Sequence, residues 1–383
     1  MAGMPSPTPP HPDPSTLVIA SMSGGVDSSV AAARLLEQGY RVEGLYMSNW
    51  EEDEDGYCTS AADYQDALKV CRQLGIPLHK TSFAAEYRER VFRHFLDEYA
   101  AGRTPNPDVL CNREIKFGAC FEHAMRLGAD FVATGHYARV ARDEQGPRLL
   151  KSVDLGKDQS YFLHAVPAAA LSKTLFPVGD LQKDEVRRIA RSLALPIHDK
   201  KDSTGICFIG ERPFAEFLAG YLPGQPGDIE TVDGKRLGTH RGLMFYTLGQ
   251  RQGLLIGGQR GASPDPWYVA GKDLKRNVLV VTQGQDHPAL LSRSLTAVQM
   301  SWIGGAPPAS TFRSHAKTRY RQPDQACRVD MAGHDTCKVT FDLPQRAVTP
   351  GQYVVLYAGD TCLGGGVIDA TEAADLPSLA DSA

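Results

Sequence analysis

The sequence of 383 residues lacks several patterns that define large classes of protein. Its eight cysteines are scattered, and none forms the CxxC pair that organises structural zinc sites. No hydrophobic run approaches the roughly 18 residues needed to cross a membrane, and no charged N-terminal segment precedes an apolar run. The net charge of -4 shows no overall bias towards nucleic acid. We therefore expect a cytoplasmic protein with reduced thiols, no membrane partner and no tightly bound metal.

Hydrophobic periodicity divides the chain into five regions. Residues 1–15 are rich in proline and predict a disordered tail, while residues 371–383 predict a frayed acidic tail. Between residues 16 and 210, short apolar runs alternate with helical spacing, which is typical of a doubly wound α/β domain with a parallel sheet. Residues 211–275 predict a small linking domain with weakly marked limits. Residues 276–370 contain strand pairs around glycine-containing turns and predict an antiparallel, barrel-like β domain.

A glycine-rich turn, SMSGGVDSS at residues 21–29, follows an apolar run and precedes an alanine-rich helical stretch. Backbone amides and the helix dipole at such a junction favour an anion. The turn has neither the GxxxxGK[ST] spacing of a P-loop nor the GxGxxG spacing of a dinucleotide site. By itself, the turn could also be a capped strand-to-helix connection that binds nothing.

Two cysteines stand in segments that could carry chemistry. In PNPDVLC, residues 105–111, prolines stiffen the approach to Cys111 and present Asn106 and Asp108. We expect Cys111 at the start of a helix, where a thiol ionises more readily; the alternative is a capped helix with a buried cysteine. In STGICFIG, residues 203–210, small residues around Cys207 suit a loop that moves towards a site, although a plain strand cysteine has the same appearance.

Taken together, these strings resemble the bacterial tRNA-specific 2-thiouridylases, within the ATP pyrophosphatases that have a pyrophosphate-binding (PP) loop. The resemblance runs from about residue 17 to about 370 and includes MSNWEED, KDQSYFL, TLGQRQGLLIGG and CLGGGVI. It implies an adenine nucleotide alpha hydrolase-like fold that uses ATP, with Mg²⁺ as its counterion. It also implies conversion of the tRNA wobble uridine to 2-thiouridine, by adenylation of the uracil C2 oxygen and sulfur transfer from a cysteine persulfide.

The resemblance also implies roles for individual residues. Cys207 would carry the persulfide, Cys111 would be the paired nucleophile, and Asp108 would be the general acid or base. Asn106, Pro107 and Asp108 would surround the target base. The expected ATP-binding residues are Ser21, Met22, Ser23, Gly24, Gly25, Val26, Asp27, Ser28, Met47 and Gly135. The expected tRNA contacts are His136, Lys157, Asp158, Gln159, Arg319, Tyr320 and Gln352.

Two routes for the sulfur remain open at this point. The Cys207 persulfide could attack C2 directly, with Cys111 then releasing the thiolated base, or Cys111 could first free hydrosulfide. Both routes end in a disulfide between the two cysteines, which an external reductant or sulfur carrier must reduce. The expected partners are tRNAs of the Lys, Glu and Gln type and a sulfur-donor protein, either a cysteine desulfurase or a relay carrier.

Basic residues alternate through TFRSHAKTRYRQ, residues 311–322. A β-strand would place Arg313, His315, Lys317, Arg319 and Arg321 on one face. Such a face favours contact with phosphates, but basic residues also protect an exposed edge strand from pairing.

Two other functions fit parts of the sequence. The same nucleotide loop could serve a ligase or amidotransferase that activates a citrulline or a carboxylate, although such an enzyme needs no cysteine pair. A non-catalytic RNA-binding protein with a relic nucleotide fold would bind tRNA without consuming ATP.

Overall fold

The computed structural model describes residues 13–50, 60–202, 208–209, 212–257 and 264–373. The predictions for the two tails and for Cys207 concern residues outside these ranges, apart from Asp13–Ser15 and Thr371–Ala373. The strands in chain order are β1 (Leu17–Ser21), β2 (Arg41–Ser48), β3 (Leu78–Ser82), β4 (Phe131–Ala133), β5 (Ala138–Asp143), β6 (Gly146–Lys151), β7 (Thr174–Leu175), β8 (Gly227–Thr231), β9 (Arg236–His240), β10 (Trp267–Asp273), β11 (Val278–Gln283), β12 (Leu291–Trp302), β13 (Thr311–Lys317), β14 (Gln325–Met331), β15 (Cys337–Arg346), β16 (Tyr353–Ala358) and β17 (Thr361–Ala373).

Helices connect the strands of the first sheet and are sparse after residue 219. Two of the helical stretches contain π-helical segments, at Arg88–Phe92 and Cys111–Ala119, and the second is kinked at Gly118. The helical segments are Val26–Glu37, Ser60–Leu74, Ala84–Tyr87, Arg88–Phe92, Arg93–Ala100, Pro107–Leu110, Cys111–Ala119, Cys120–Arg126, Ser160–Leu163, Ala168–Ser172, Lys183–Ser192, Phe214–Ala219 and the two 3₁₀ turns Leu243–Phe245 and Pro288–Leu290.

The first sheet is parallel and has the strand order β3-β2-β1-β4-β7. Alternate residues of β1 face opposite sides. Val18 joins a core with the helices Val26–Glu37 and Lys183–Ser192, whereas Ile19 joins a second core with the helical residues 84–126. Helices therefore cover both faces, and the predicted doubly wound α/β domain is confirmed.

The middle sheet has the order β10-β11-β8-β9 and its own small core around Ile229, Val269 and Leu279. β11 pairs with both β10 and β8, so the middle unit extends beyond residue 275, where the sequence placed its end. The pairing of β11 is tertiary, and no local composition change marks it.

The C-terminal sheet closes on itself. β12 pairs with β15 on one side and with β17 on the other, and β14, β13 and β16 complete the ring, which confirms the barrel-like antiparallel domain. The hairpin β5–β6 of the first domain continues this sheet, because Thr361 and Cys362 of β17 pair with Leu150 and Leu149. This hairpin joins the first domain to the barrel. Among the described residues, every helix is too short or too polar to span a bilayer.

Candidate active site

The glycine-rich turn connects β1 to the helix Val26–Glu37, as the sequence predicted. The Ser28 hydroxyl accepts a hydrogen bond from the Ser23 amide at 3.2 Å and donates to the Gly25 carbonyl at 3.1 Å. Gly24 has φ +73°, and a Cβ there would lie 2.3 Å from the Asp63 carbonyl oxygen. No side-chain hydrogen bond caps this helix at Gly25, so its N-terminus suits an anion.

Gly135 and Met47, both expected to bind ATP, lie in different surroundings: Gly135 is beside this turn and Met47 packs against the core. Gly135 follows β4, and a Cβ there would lie 2.6 Å from the Ser28 amide nitrogen, so only glycine fits without displacing the loop. Met47 lies near the end of β2 and packs, partly buried, against the core that contains Phe92 and Phe95.

Charged residues that the sequence analysis missed surround the turn. Lys183 donates to both carboxylate oxygens of Asp27, at 2.7 and 2.8 Å, and the Tyr137 hydroxyl donates to the same carboxylate at 2.8 Å. Lys200 donates to the Gly24 carbonyl at 3.1 Å and also binds Asp63 at 2.7 Å. These lysines stand near the glycine-rich turn, which has no lysine of its own.

The PNPD segment forms the first turn of a helix. The Asn106 side chain accepts a hydrogen bond from the Asp108 amide at 3.2 Å, and the helix begins at Pro107. Cys111 therefore lies one turn inside the helix, and the expectation that it stands at the N-terminus is wrong. Cys111 is buried, three residues from Asp108 and thus on a neighbouring face of the helix.

A cavity of about 550 Å³ opens where the three domains meet. It brings together five residues that the sequence analysis selected from distant segments, namely Asn106, Asp108, Arg319, Tyr320 and Gln352. The remaining lining residues are Phe162, Thr247, Leu248, Gly249, Gln250 and Thr349, of which the middle four belong to the motif TLGQRQGLLIGG. The volume is that of an ordinary small-ligand site.

Hydrogen bonds from the barrel domain hold the walls of this cavity together. Gln352 donates to the carbonyls of Thr104 at 2.8 Å and Pro105 at 3.2 Å. Arg319 donates to the carbonyls of Leu248, at 3.2 Å, and Ala347, at 2.8 Å. The barrel thus positions both the PNPD segment and the middle domain.

Aromatic contacts form another wall of the cavity. The rings of Tyr320 and Phe162 have centroids 4.5 Å apart, and the Tyr320 hydroxyl donates to the Lys157 carbonyl at 3.3 Å. A flat base can stack on such a surface.

Among the described residues that line the cavity, Asp108 is the only one with a carboxylate. Solvent reaches it through the opening, but surrounding protein desolvates the carboxyl and raises its pKa, against a smaller opposing effect of Lys116. Burial similarly lowers the pKa of Arg319. A carboxyl with a raised pKa in a cavity is suited to proton transfer.

Cys111 packs in a buried cluster with aromatic residues from several elements. The cluster includes Phe208 and Ile209, which follow Cys207 in the sequence. Phe208 is fully buried, and its ring lies 5.0 Å from that of Phe92. The chain that leaves Cys207 is therefore anchored in the core that holds Cys111.

The other described cysteines are buried thiols. Burial raises the pKa of Cys71 to about 11 and those of Cys120, Cys327, Cys337 and Cys362 to about 12. Such thiols are weak nucleophiles at neutral pH.

Several expected tRNA contacts are not among the residues that line the cavity. His136 packs against the rings of Phe117 and Phe176, and burial lowers its pKa well below the usual range, with Lys116 adding to the effect. Asp158 is buried and accepts hydrogen bonds from the amides of Ser152 and Ser160. Asp158 therefore stabilises its own turn.

The two neighbours of Asp158 also have partners within the protein. Gln159 accepts a hydrogen bond from the Tyr137 amide at 2.9 Å. Lys157 pairs with Asp202 at 2.9 Å. Lys157 is partly exposed, so of these three residues its side chain is the most accessible to an RNA phosphate.

The basic strand is shorter than its alternation predicted. β13 ends at Lys317, which is buried and lies 3.9 Å from Asp158 and 3.8 Å from Asp324. Arg313 is exposed but binds Asp342 at 2.8 Å. The prediction of five basic residues aligned on one strand face is therefore wrong, because Arg319 and Arg321 follow the end of the strand. Acids from other segments also pair with Lys317 and Arg313.

Within the part of the chain that the structure describes, no three side chains of His, Cys, Asp or Glu are arranged to hold a metal ion. The expectation of no tightly bound metal stays a prediction.

Comparison with known proteins identifies the family. The family models described as tRNA methyl transferase HUP domain, tRNA methyl transferase PRC-barrel domain and aminomethyltransferase beta-barrel domain match residues 16–211, 215–283 and 292–368. The tRNA-specific 2-thiouridylase MnmA of Hahella chejuensis is 62% identical over 353 residues, which cover 92% of this chain and 97% of that protein. The chain belongs to the tRNA-specific 2-thiouridylase family. A second 2-thiouridylase, from Marinobacter nauticus, is 59% identical over 95% of this chain and 94% of its own length.

Membership of the 2-thiouridylase family covers all three domains. The matches follow the order of the parallel-sheet domain, the middle sheet and the closed barrel. The cavity lined by residues of all three domains is thus a feature of the whole chain rather than of one part.

Proposed function

We propose that this enzyme thiolates C2 of the wobble uridine in tRNA, using ATP and releasing AMP and pyrophosphate. The observation that carries the proposal is the cavity that Asp108, Arg319 and Tyr320 line together, with Cys111 in the helical stretch that begins beside Asp108. The named relatives act on the same atom of uridine in tRNA, as their name states.

The glycine-rich turn supplies the first step. Its uncapped helix N-terminus binds the β and γ phosphates as the uracil C2 oxygen attacks the α phosphorus of ATP. The bond between the α and β phosphates breaks, pyrophosphate leaves, and AMP becomes bonded to the former carbonyl oxygen. Mg²⁺ accompanies ATP as its counterion.

The cysteines supply the second step. The terminal sulfur of a Cys207 persulfide attacks C2 and expels AMP, and the Cys111 thiolate then attacks the Cys207 sulfur and releases 2-thiouridine. In the other order, Cys111 attacks the persulfide first and the freed hydrosulfide attacks C2. Either order leaves a Cys111–Cys207 disulfide, which a two-electron reductant returns to thiols. The anchoring of Phe208 and Ile209 beside Cys111 supports this pairing.

Asp108 moves the proton at the base edge. The uracil N3 proton has to be held or transferred as the C2 oxygen becomes nucleophilic, and a carboxyl with a raised pKa in the cavity suits this task. Asn106 and Pro107 border the same base, and Asn106 lines the cavity.

The uridine has to leave the anticodon stack to reach this cavity. Phe162 and Tyr320 offer a stacking surface, and Arg319, Gln352, Lys157 and His136 are the proposed contacts to the surrounding tRNA. The substrates we propose are the tRNAs of the Lys, Glu and Gln type. The sulfur comes from a cysteine desulfurase or from a relay carrier that it loads.

The test is formation of 2-thiouridine by the purified full chain. The protein is incubated with a tRNA transcript containing an unmodified wobble uridine, MgATP, and a cysteine desulfurase with cysteine as the persulfide donor and a thiol reductant, and the nucleosides are analysed by mass spectrometry. We expect 2-thiouridine only when ATP is present. ATP cleavage without thiolated uridine would favour a ligase or amidotransferase, and tRNA binding without ATP cleavage would favour a non-catalytic RNA-binding protein.

A further inference from the structure

Asp202 is at the centre of an ion-pair cluster beside the nucleotide turn. Its carboxylate binds Lys157 at 2.9 Å, Lys183 at 2.8 Å and Arg187 at 2.8 Å. Lys183 is shared, because it also contacts both carboxylate oxygens of Asp27 in the glycine-rich turn. Asp202 therefore forms ion pairs both with Lys183, beside the proposed nucleotide site, and with Lys157, which is expected to contact tRNA.

The cations of this cluster share their carboxylate partners. Lys157, Lys183 and Arg187 pair with Asp202, Lys183 also pairs with Asp27, and the Asp154 carboxylate accepts a hydrogen bond from the Lys183 backbone amide at 3.0 Å. Burial raises the pKa of Asp202, but hydrogen bonds from Lys157 and Lys183 outweigh it and hold the pKa well below the usual range. Asp202 is thus ionised throughout the neutral range.

The exposure of the partners differs in a way that matters for ligands. The Lys183 side chain is 10% exposed, so it stays beside the turn, whereas the Asp202 side chain is 34% exposed and can exchange its partners for solvent. An incoming phosphate can therefore displace the carboxylate while the lysine remains in place.

We propose that the Asp202 carboxylate takes the place of substrate phosphate. It pairs with Lys183 and Lys157 until the phosphates of ATP and tRNA displace it. This inference rests on the proposed function, since it takes the glycine-rich turn as the ATP site. The turn lacks a lysine of its own, and Lys183 is the cation that neutralises the leaving pyrophosphate. Asp202 lowers the affinity for both anionic substrates in two ways: it competes for the lysines, and it repels bound phosphate.

The proposal predicts that removing this carboxylate tightens binding. Asp202→Asn should bind Mg²⁺ and α,β-methylene-ATP about three- to fivefold more tightly than the unmodified protein, measured by isothermal titration calorimetry without tRNA. The KM for ATP should fall by the same factor without a rise in kcat. If Asp202 only stabilised the fold, its loss would weaken binding instead.

Three further variants make the test specific. Asp199→Asn makes the same charge change at a side chain that is 82% exposed and pairs with His198, and its affinity should equal that of the unmodified protein. Lys183→Met should weaken binding of the analogue at least about tenfold. The double variant Lys183→Met with Asp202→Asn should bind no more tightly than Lys183→Met alone, because it lacks the lysine for which Asp202 and phosphate compete.

Two results would overturn the proposal. One is a folded Asp202→Asn protein with unchanged or weaker affinity for the analogue, and the other is unchanged affinity in Lys183→Met. The second result stands even if Asp202→Asn fails to fold. Failure of the unmodified protein to bind the analogue at all would instead contradict the proposed function at the nucleotide turn.

Discussion

Gly135 lies directly against Ser28, where a Cβ on the glycine would be 2.6 Å from the serine amide nitrogen. This contact joins the segment after β4 to the first turn of the helix that follows the nucleotide turn. The amides that would bind phosphate are thus held in place by a residue that has no side chain.

Gly135→Ala should therefore damage ATP binding. The added methyl group forces the helix start and the segment after β4 apart, and overpacking of this kind costs about 1–3 kcal/mol. We expect the Kd for MgATP to rise about tenfold or more, measured by calorimetry. Gly238→Ala is the matched control, because a Cβ at that position in β9 meets no atom within 4 Å; equal affinity in the two variants would contradict the account.

Cys111 should be indispensable for sulfur transfer, whereas Cys120 in the same helical stretch should not be. Cys111→Ser should lower the rate of 2-thiouridine formation by about 10³-fold or more, since a hydroxyl cannot attack a persulfide or form the disulfide. Cys120→Ser should retain activity, because burial raises the pKa of that thiol to about 12 and it stays protonated. Mass spectrometry of the nucleosides measures both rates, and undiminished thiolation by Cys111→Ser would exclude the two-cysteine mechanism.

Asp108 should contribute to catalysis but lower the free energy of unfolding at neutral pH. Asp108→Asn should reduce kcat by about 10²-fold or more, as expected for loss of a general acid or base. In the folded protein the raised pKa means that Asp108 still binds a proton at a pH where the unfolded chain has lost it, so stability falls as pH rises through that window.

The Asn variant has no such loss. Its free energy of unfolding, measured in urea, should exceed that of the unmodified protein at pH 7, and the difference should disappear at a pH below the ordinary carboxyl pKa. A variant that is inactive but less stable at pH 7 would show that Asp108 serves the fold instead.

Arg319 and Arg313 should differ in their effect on RNA. Arg319→Ala should weaken tRNA binding and reduce the slope of log affinity against log salt by about one, since it removes a cationic phosphate contact at the cavity. Arg313→Ala should change neither quantity, because Asp342 already neutralises that arginine. Filter binding at several salt concentrations measures both; equal slopes for the two variants would show that the cavity edge is not the RNA surface.

Local patterns were enough to predict much of the fold. The alternation of apolar runs and helical stretches gave the parallel sheet from β1 to β4, and glycine turns gave the hairpins β14–β15 and β16–β17. These elements depend on periodicity and turn chemistry within about twenty residues. The position of the glycine-rich turn between a strand and a helix was predictable for the same reason.

Tertiary relationships were not predictable from local pattern. Lys183 reaches Asp27 across 156 residues, and nothing in the run around Lys183 distinguishes it from a solvated helix. Likewise, β13 ends where Lys317 meets Asp158 and Asp324, acids that lie outside the basic segment. The hairpin β5–β6 joins the barrel for a similar reason, since its partner β17 is distant in the chain.

Adenylation of the base is tested most directly by tracing the C2 oxygen of the uracil into AMP. A tRNA labelled with ¹⁸O at O2 of the wobble uridine is incubated with the protein, MgATP, and a cysteine desulfurase with cysteine and a thiol reductant, and AMP is analysed by mass spectrometry beside 2-thiouridine. If the C2 oxygen is adenylated, each AMP contains one ¹⁸O atom, and one AMP is released for each 2-thiouridine formed. Unlabelled AMP, or thiolation without AMP, would contradict adenylation of the base.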